Sequence, residues 1–395
     1  MKKLISILMA ALMVAGCFAF AGCSSSGNAA SGSDTIKIGM QGPYTGSTAV
    51  YGLAVQTGAR LYIDQLNANG GINGKQVELV AYDEEGDATK AVTGYNSLMD
   101  DGVVAVVGSV TTAPTVAVVA EAFADNTPMI TASATAIDVT YNADQDMVYT
   151  NMFRSCFIDS FQGVTMARFA KEEMGAATAA VLYDNGDTYS TGVYEYFVNQ
   201  CAELGVEVVA TESYASGSVD FSGQLTNIAA ANPDVLFLPV YYNDVALIAS
   251  QAADAGITAT MLGVDGWSSV LDSVSDPALV EGAYYCSGYS VEDTRELVVN
   301  FLADYAAKYD GKVSNMFGAQ GYDAAWILCN AIAVAEESGA EYGSAEYKQA
   351  VIDAMAATDS EFVTGHVSFD DHNDPQKTAA IIQITDGAES FWGNF

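Results

Sequence analysis

The residues best placed to bind a small charged ligand are in the segment GSVTTAPT, residues 108–115. It follows an unbroken apolar run at residues 103–107, which is typical of a parallel strand covered on both faces. A helical pattern begins at Thr115, and Pro114 is tolerated in a first helical turn because its missing N–H group is not needed there. Free N–H groups and the positive end of the helix dipole would favour an anion such as a carboxylate. An ordinary capped helix start gives the same local pattern.

A second group of hydroxyl side chains follows the next predicted strand, in the segment MITASAT at residues 129–135. Its Ser133 and Thr135 would lie beside Thr112 of the first segment if the two strands are neighbours in a parallel sheet. The carboxyl ends of parallel strands meet at one edge, which is where α/β proteins bind ligands. The two segments together therefore favour a shared polar site at that edge.

Aromatic and acidic side chains recur in the loops that follow other predicted strands. They are Tyr51, Tyr189, Tyr241, Asp265 and Trp267. For any one tyrosine, packing is the simpler explanation. Their shared position after strand ends is the informative feature, because it would place them around a common cleft.

The chain shows no motif for a metal, a nucleotide cofactor or covalent catalysis. Its two histidines, His366 and His372, lie near an aspartate-rich segment at residues 370–375, where a plain polar turn explains the pattern better than a metal site. There is no GxSxG sequence, no Walker A sequence and no GxGxxG sequence after the first predicted strand. We therefore expect a binding protein rather than an enzyme, with no catalytic residues, no metal and no cofactor.

The elements that must position these side chains alternate regularly between strand and helix. Strand patterns at residues 36–40, 77–82 and 103–107 are each followed by a helical pattern, and the same rhythm resumes in the second half. Such alternation predicts parallel sheets with helical crossovers, and the number of strands predicts two Rossmann-like α/β lobes rather than one open sheet. The tail is predicted to contain a strand pair, residues 367–369 with 378–385.

The composition is that of an acidic chain with enough apolar residues for a large core. Of 395 residues, 50% are hydrophobic, and 49 acidic residues outnumber 14 basic ones to give a formal charge of −35. A chain this acidic should repel nucleic acids and anionic lipids, so we exclude polyanion-binding functions. The length suits two domains.

The N-terminus resembles a bacterial lipoprotein signal peptide at residues 1–22. Two lysines precede an apolar stretch that ends in small residues, and Cys23 would be lipidated and become the new N-terminus. Cys17 is a competing lipidation site, and an uncleaved membrane anchor is the alternative. The sequence of residues 23–35 predicts a flexible polar tether. In either case the globular part would lie outside the cytoplasm, tethered to the membrane.

Four further cysteines are widely spaced and include no CxxC pair. They are Cys156, Cys201, Cys286 and Cys329. This spacing disfavours zinc, and buried free thiols are the default expectation. An extracytoplasmic location would permit a disulfide, but the sequence cannot choose a pairing.

Several motifs occur in order along most of residues 36–385. They are GPYTG at 42–46, NANGGING at 67–74, YD at 82–83, DGV at 101–103, PMITASAT at 128–135, FRS at 153–155 and YDA at 322–324. Because of these motifs, the chain resembles the type I periplasmic binding proteins of branched-chain amino acid ABC importers, the leucine/isoleucine/valine-binding class. Such proteins close two lobes around a ligand in a Venus flytrap arrangement.

At matching positions the resemblance implies a clamp for both ends of a free amino acid. Thr112 would bind the α-carboxylate through its hydroxyl and backbone N–H at a helix start. Ser133 and Thr135 would supply oxygens to both ends of the ligand. Asp265 would pair with the ammonium group, where the family has glutamate. The resemblance also implies ligand contacts from four tyrosines of the cleft wall, Tyr51, Tyr189, Tyr241 and Tyr322, and from one further acid, Asp159.

The resemblance further implies that the chain crosses between the lobes three times. We place the crossings near residues 154–157, 286–288 and 362–365. The N-terminal lobe would then comprise residues 36–154 plus 288–362, and the C-terminal lobe residues 155–287 plus 363–395.

The function that the resemblance implies is that of a lipid-anchored, monomeric receptor that delivers a branched-chain amino acid to an ABC permease. The chain departs from the family at Ser109 and Val110, and it has Trp267 where small residues are usual. Tyr189, Tyr241 and Trp267 are expected to select the side chain of the ligand. Receptors for an amide, an aromatic amino acid or an aromatic acid remain alternatives, as does a module that senses rather than transports.

Overall fold

Strands alternate with helices through most of residues 35–395, the part of the chain that the computed structural model describes. The predicted signal peptide, the lipidation site at Cys23 and the competing Cys17 lie outside the described residues. So does the predicted tether, except for Thr35, which begins the first strand. Within the described part, every helix is too short or too polar to span a lipid bilayer.

The first sheet is built from five parallel strands of the N-terminal part. The strands of this region are β1 (Thr35–Gly42), β2 (Gln76–Asp83), β3 (Ala105–Val107), β4 (Met129–Thr131), β5 (Tyr141–Asn142), β6 (Met147–Val148) and β7 (Met152–Arg154). The sheet order is β2-β1-β3-β4-β7, and β5 pairs with β6 in a separate hairpin. The connecting helices are α1 (Ala49–Ala68), α2 (Ala88–Asp100) and α3 (Thr112–Ala124). All of β3 is buried, as its unbroken apolar sequence predicts.

The second sheet has seven strands, of which five are parallel. The remaining strands are β8 (Thr178–Asp184), β9 (Glu207–Tyr214), β10 (Val235–Phe237), β11 (Thr260–Gly263), β12 (Tyr284–Ser287), β13 (Asp359–Phe362), β14 (Gly365–Ser368), β15 (Ala380–Thr385) and β16 (Ala388–Asn394). The order in the sheet is β9-β8-β10-β11-β12-β15-β16, where the first five strands pair in parallel and β15 is antiparallel to both of its neighbours, β12 and β16. Its helices are α4 (Asp159–Glu172), α5 (Thr188–Leu204), α6 (Ser222–Ala231) and α7 (Tyr242–Asp254).

Three later helices return to the first sheet. They are α8 (Glu296–Lys308), α9 (Met316–Ser338) and α10 (Ala345–Ala356). Helix α9 packs on α1 and β3, and α10 packs on α9. We call the first sheet with α1, α2, α3, α8, α9 and α10 the first lobe, and the second sheet with α4 to α7 the second lobe. The predicted fold class, two α/β lobes built on parallel sheets, is confirmed.

Glycines let helices α1 and α9 approach each other at backbone distance. A Cβ atom at Gly58 would lie 1.8 Å from the carbonyl oxygen of Gly318, and one at Gly321 would lie 2.3 Å from that of Val55. Contacts this short are closed to any side chain, so both positions require glycine. The two helices therefore form one tightly packed pair, although they come from opposite halves of the chain.

The C-terminal strands are paired differently from the prediction. Residues 367–369 were expected to pair with 378–385, but Val367 in β14 pairs with Ser360 in β13. The later segment instead becomes β15, which lies between β12 and β16 in the second sheet. Short-range alternation could not reveal this, because each strand finds a partner outside the predicted pair.

The aspartate-rich segment between β14 and β15 packs against the end of the first sheet. The side chain of Arg154, which is fully buried, places its Nε 2.6 Å from Asp374 Oδ1 and also donates to the carbonyl oxygens of Ala134 and Ala136. Asn373 donates to the carbonyl oxygen of Met152 at 3.0 Å. The chain therefore enters the second sheet only at β15, later than the crossing expected at residues 362–365, and residues 363–375 lie against the first lobe.

The candidate metal ligands and thiols have ordinary structural surroundings. His366 is exposed, with its Nε2 2.9 Å from Asp359 Oδ1 across the β13–β14 hairpin. Within residues 35–395, no three His, Cys, Asp or Glu side chains are grouped to hold a metal ion. The four cysteines of this part of the chain are buried and unpaired.

Candidate ligand-binding site

The carboxyl ends of strands from both sheets face a small cavity of about 240 Å³. The residues that line it are Tyr51, Val110, Thr111, Thr112, Ser133, Tyr189, Tyr241, Asp265, Gly266 and Phe317. The structure thus brings six of the predicted site residues together around one cavity, namely Tyr51, Thr112, Ser133, Tyr189, Tyr241 and Asp265.

One end of the cavity is the start of helix α3. The helix begins at Thr112, three residues earlier than the pattern predicts, and Thr111 in the N-cap position has no capping hydrogen bond from its side chain. The first N–H groups of a helix lack partners within that helix, so they are available to a bound group. Thr112 is buried and lies on the cavity wall. This end offers hydrogen-bond donors and a positive dipole to an anion.

The two predicted hydroxyl segments lie side by side at this end. Strands β3 and β4 are neighbours, and the Ser133 hydroxyl donates to the carbonyl oxygen of Val110 at 2.7 Å. The Thr131 hydroxyl donates to the carbonyl oxygen of Ser109 at 2.6 Å. These bonds hold the two turns against each other. Ser133 lines the cavity, and its hydroxyl oxygen can still accept a hydrogen bond because its proton is donated to Val110.

Asp265 supplies the opposite charge on the second lobe. It is only 3% exposed, and its Oδ1 accepts a 2.6 Å hydrogen bond from the Tyr189 hydroxyl. Its backbone N–H donates to Gln162 Oε1 at 3.0 Å. Burial raises the pKa of Asp265 to about 6, and the hydrogen bond from the Tyr189 hydroxyl opposes the rise. Within the described residues, no lysine or arginine forms an ion pair with Asp265.

Aromatic rings form the wall between the two ends. Tyr189 and Tyr241 stack with centroids 4.9 Å apart, and Tyr51 packs against Phe317 at 4.5 Å. A Cβ atom at Gly266 would lie 2.8 Å from the Tyr189 hydroxyl oxygen, so glycine is needed for the rings to close in. The wall therefore joins residues of α1 and α9 from the first lobe to residues of the second.

Four wall residues were not among the predicted site residues. They are Val110, Thr111, Gly266 and Phe317. Thr111 and Gly266 are next to predicted residues in the sequence, and Val110, two positions before Thr112, had been noted only as a departure from the family. Phe317 follows the N-cap of α9 far along the chain, and no local signal in the sequence marks it as a ligand contact.

Two buried polar residues, Asp159 and Thr135, lie behind the cavity rather than on its wall. Asp159 begins α4, and its N–H donates to the carbonyl oxygen of Thr135 at 2.9 Å. Burial raises the pKa of Asp159 well above its ordinary value, the Thr135 hydroxyl opposes the rise, and the Asp265 charge adds to it.

The two remaining predicted residues have structural partners away from the cavity. Trp267 is fully buried, its Nε1 donates to the carbonyl oxygen of Leu238 at 2.9 Å, and its ring packs against Gly263. Tyr322 donates to Gln65 Oε1 at 2.8 Å and packs on neighbouring aromatic rings of the first lobe. Trp267 thus supports the Asp265 loop from beneath, and it does not take the side-chain-selecting position expected of it.

Comparisons with known proteins show what this arrangement is similar to. A family model described as periplasmic binding protein matches residues 35–389. The leucine-, isoleucine-, valine-, threonine- and alanine-binding protein of Pseudomonas aeruginosa is 30% identical over 371 residues, covering 94% of this chain and 92% of that protein.

Solved structures agree with the sequence comparisons. A leucine-binding protein from Thermotoga maritima matches with a TM-score of 0.82 and 28% identity, covering 91% of this chain and 98% of that one. A branched-chain amino acid transporter substrate-binding protein from Streptococcus pneumoniae, solved with isoleucine, matches with a TM-score of 0.80 and 31% identity over the same shares, 91% and 98%.

Proposed function

Since the chain belongs to the type I periplasmic binding proteins of the branched-chain amino acid family, we propose that it is a receptor for a free apolar amino acid. We further propose that it acts outside the cytoplasm and passes this ligand to an ABC permease. The ligand would be leucine, isoleucine or valine, held in the cavity between the lobes.

The observation that carries this proposal is the pairing of opposite charges across the cavity. The α3 start offers donors to a carboxylate, while the buried Asp265 carboxylate forms no ion pair with any lysine or arginine of residues 35–395. A buried carboxylate without a cation is costly, and an α-ammonium group would neutralise it. Each charge-assisted hydrogen bond that forms would contribute about 1.5–3 kcal/mol.

The apolar part of the wall supports a hydrocarbon side chain. Val110, Phe317 and Tyr51 line the cavity and are almost fully buried. Burying a ligand side chain against them would contribute roughly 25 cal/mol for each Å² of apolar surface removed from water.

The cavity disfavours the aromatic-acid alternative, although its tyrosines would suit an aromatic ring. A ligand with a carboxylate and no ammonium would leave Asp265 without a cationic partner. An aromatic amino acid would satisfy both charged ends of the cavity. It stays an alternative, and whether it binds depends on the size of its ring.

Calorimetric titration of the purified protein with each common amino acid at neutral pH tests the proposal. We expect tight binding of leucine, isoleucine or valine, and weak or no binding of benzoate and of acidic or basic amino acids. Failure of every α-amino acid to bind would refute the proposal. Binding of phenylalanine or tyrosine in preference to leucine would move the ligand class to aromatic amino acids.

Lipid anchoring at Cys23 and delivery to a permease are parts of the proposal that rest on the N-terminal pattern and the family. The mass of the mature N-terminal peptide, isolated from cells, would show whether this peptide carries a lipid. A Cys23→Ala variant released from the membrane would support Cys23, whereas retention that is lost only in Cys17→Ala would place the lipid at Cys17.

Ligand affinity should fall as the medium becomes acidic, because the ammonium group needs an ionised Asp265. The pKa of this carboxyl is raised to about 6, so it is charged above that pH and protonated below it. Protonation competes with the ligand, and we expect binding about 10-fold weaker at about pH 5 than at about pH 8. Calorimetry across this range, in buffers of different ionisation enthalpy, would also detect proton release near pH 6. Constant affinity across the range would contradict this assignment.

A further inference from the structure

A tyrosine outside the cavity joins the two lobes through two hydrogen bonds, one from its side-chain hydroxyl and one from its backbone N–H. Tyr242 begins α7 of the second lobe, and its hydroxyl donates to the carbonyl oxygen of Ser47 at 2.6 Å. Ser47 lies in the exposed loop that leads into α1 of the first lobe. The backbone N–H of Tyr242 donates to the Tyr51 hydroxyl at 3.2 Å.

The second of these bonds continues across the cleft. The Tyr51 hydroxyl donates in turn to the carbonyl oxygen of Gly266 at 2.6 Å, next to Asp265. The ring of Tyr242 meets that of Tyr51 edge-on, with centroids 5.1 Å apart. One lobe is therefore tied to the other through a chain of three hydrogen bonds. Tyr51 lines the cavity, whereas Tyr242 does not.

We propose that Tyr242 is a positioning residue that latches the closed cleft and sets how long a ligand stays bound. This inference rests on the proposed receptor function. The latch acts through the lobes, because the Tyr242 side chain reaches protein atoms on the far lobe rather than the ligand cavity.

The physical basis is that the bond from Tyr242 to Ser47 exists only when the lobes are together. When they part, water takes the place of each partner, so this partly buried bond favours the closed form by the modest net amount typical of one hydrogen bond. It forms only as the lobes close, a step that follows the first encounter with a ligand. Its loss should therefore speed dissociation and leave association nearly unchanged.

Replacement of Tyr242 by phenylalanine removes the hydroxyl and keeps the ring. For Tyr242→Phe we expect L-leucine to dissociate about 3- to 10-fold faster in stopped-flow measurements, with the association rate changed by less than about 2-fold. The matched control is Tyr309→Phe, whose hydroxyl donates to the carbonyl oxygen of Thr57 at 2.8 Å within the first lobe. Equal dissociation rates in the two variants would overturn the proposal.

A second measurement needs no ligand and keeps the latch separate from the receptor assignment. Fluorescence energy transfer between dyes on the two lobes reports the fraction of closed molecules. We expect a smaller closed fraction in Tyr242→Phe than in Tyr309→Phe, and equal fractions would overturn the latch. If L-leucine fails to bind either variant, the proposed function fails, while the energy-transfer result still decides the latch.

Discussion

Replacement of Asp265 by asparagine should weaken the binding of leucine by about 100- to 1,000-fold while leaving the fold intact. The change keeps the shape of the side chain but removes the charge opposite the ligand ammonium group. Loss of one partner from a buried charge pair generally costs about 2–5 kcal/mol, because the other charge is left without compensation. Calorimetry would measure the loss. Asp272→Asn, an exposed acid in the following turn, is the control and should bind normally.

The same variant should be more stable than the parent when no ligand is bound. The folded-state pKa of Asp265, about 6, lies above its ordinary value of 3.8. Its ionised form therefore destabilises the fold at neutral pH, and this cost disappears as pH falls from about 6 towards 4. Asparagine removes the cost, so the free energy of unfolding should rise by about 1–3 kcal/mol at about pH 7.5. Unchanged affinity, or a ligand-free variant no more stable than the parent, would contradict the assigned role.

Replacement of Asp374 by alanine should lower the free energy of unfolding by about 3–5 kcal/mol. The variant would leave the guanidinium group of Arg154 fully buried without its carboxylate. Removing one partner of a buried ion pair is strongly destabilising, because the remaining charge cannot reach water. Urea denaturation would measure the change.

The neighbouring Asp371 provides a matched control for this result. It lies in the same turn but is exposed, so Asp371→Ala should change the free energy of unfolding by less than about 0.5 kcal/mol. If both variants lose similar stability, the effect belongs to the turn and not to the ion pair. A second variant, Arg154→Met combined with Asp374→Ala, should recover much of the loss, because it leaves no buried charge.

Sequence patterns sufficed where neighbouring residues carry the signal. The unbroken apolar run before Gly108 predicts a buried parallel strand, and β3 is one. Hydroxyl residues after two successive strands predict a shared site, and Thr112 and Ser133 both line the cavity. In a parallel sheet, position along the chain and position at the sheet edge are directly related, so this reasoning transfers from sequence to space.

The same patterns failed where partners lie far apart in the chain or where a turn redirects a side chain. Trp267 is two residues from Asp265, yet the short helical turn between them points the indole into the core. Phe317 reaches the cavity only because α9 packs on α1. The pairing of Arg154 with Asp374 determines where the tail packs, and no spacing rule connects those two positions.

The backbone contact between α1 and α9 bears on how the chain folds. Helix α1 comes early in the chain and α9 late, and the glycines at Gly58 and Gly321 make each helix the packing surface of the other. The first lobe cannot bury α1 until the chain has reached α9, and the second sheet lacks two strands until β15 and β16 are available. Contacts so distant in sequence slow folding, because a long loop must close before they form. Neither lobe should therefore fold alone, and the chain should acquire its structure in one late, cooperative step.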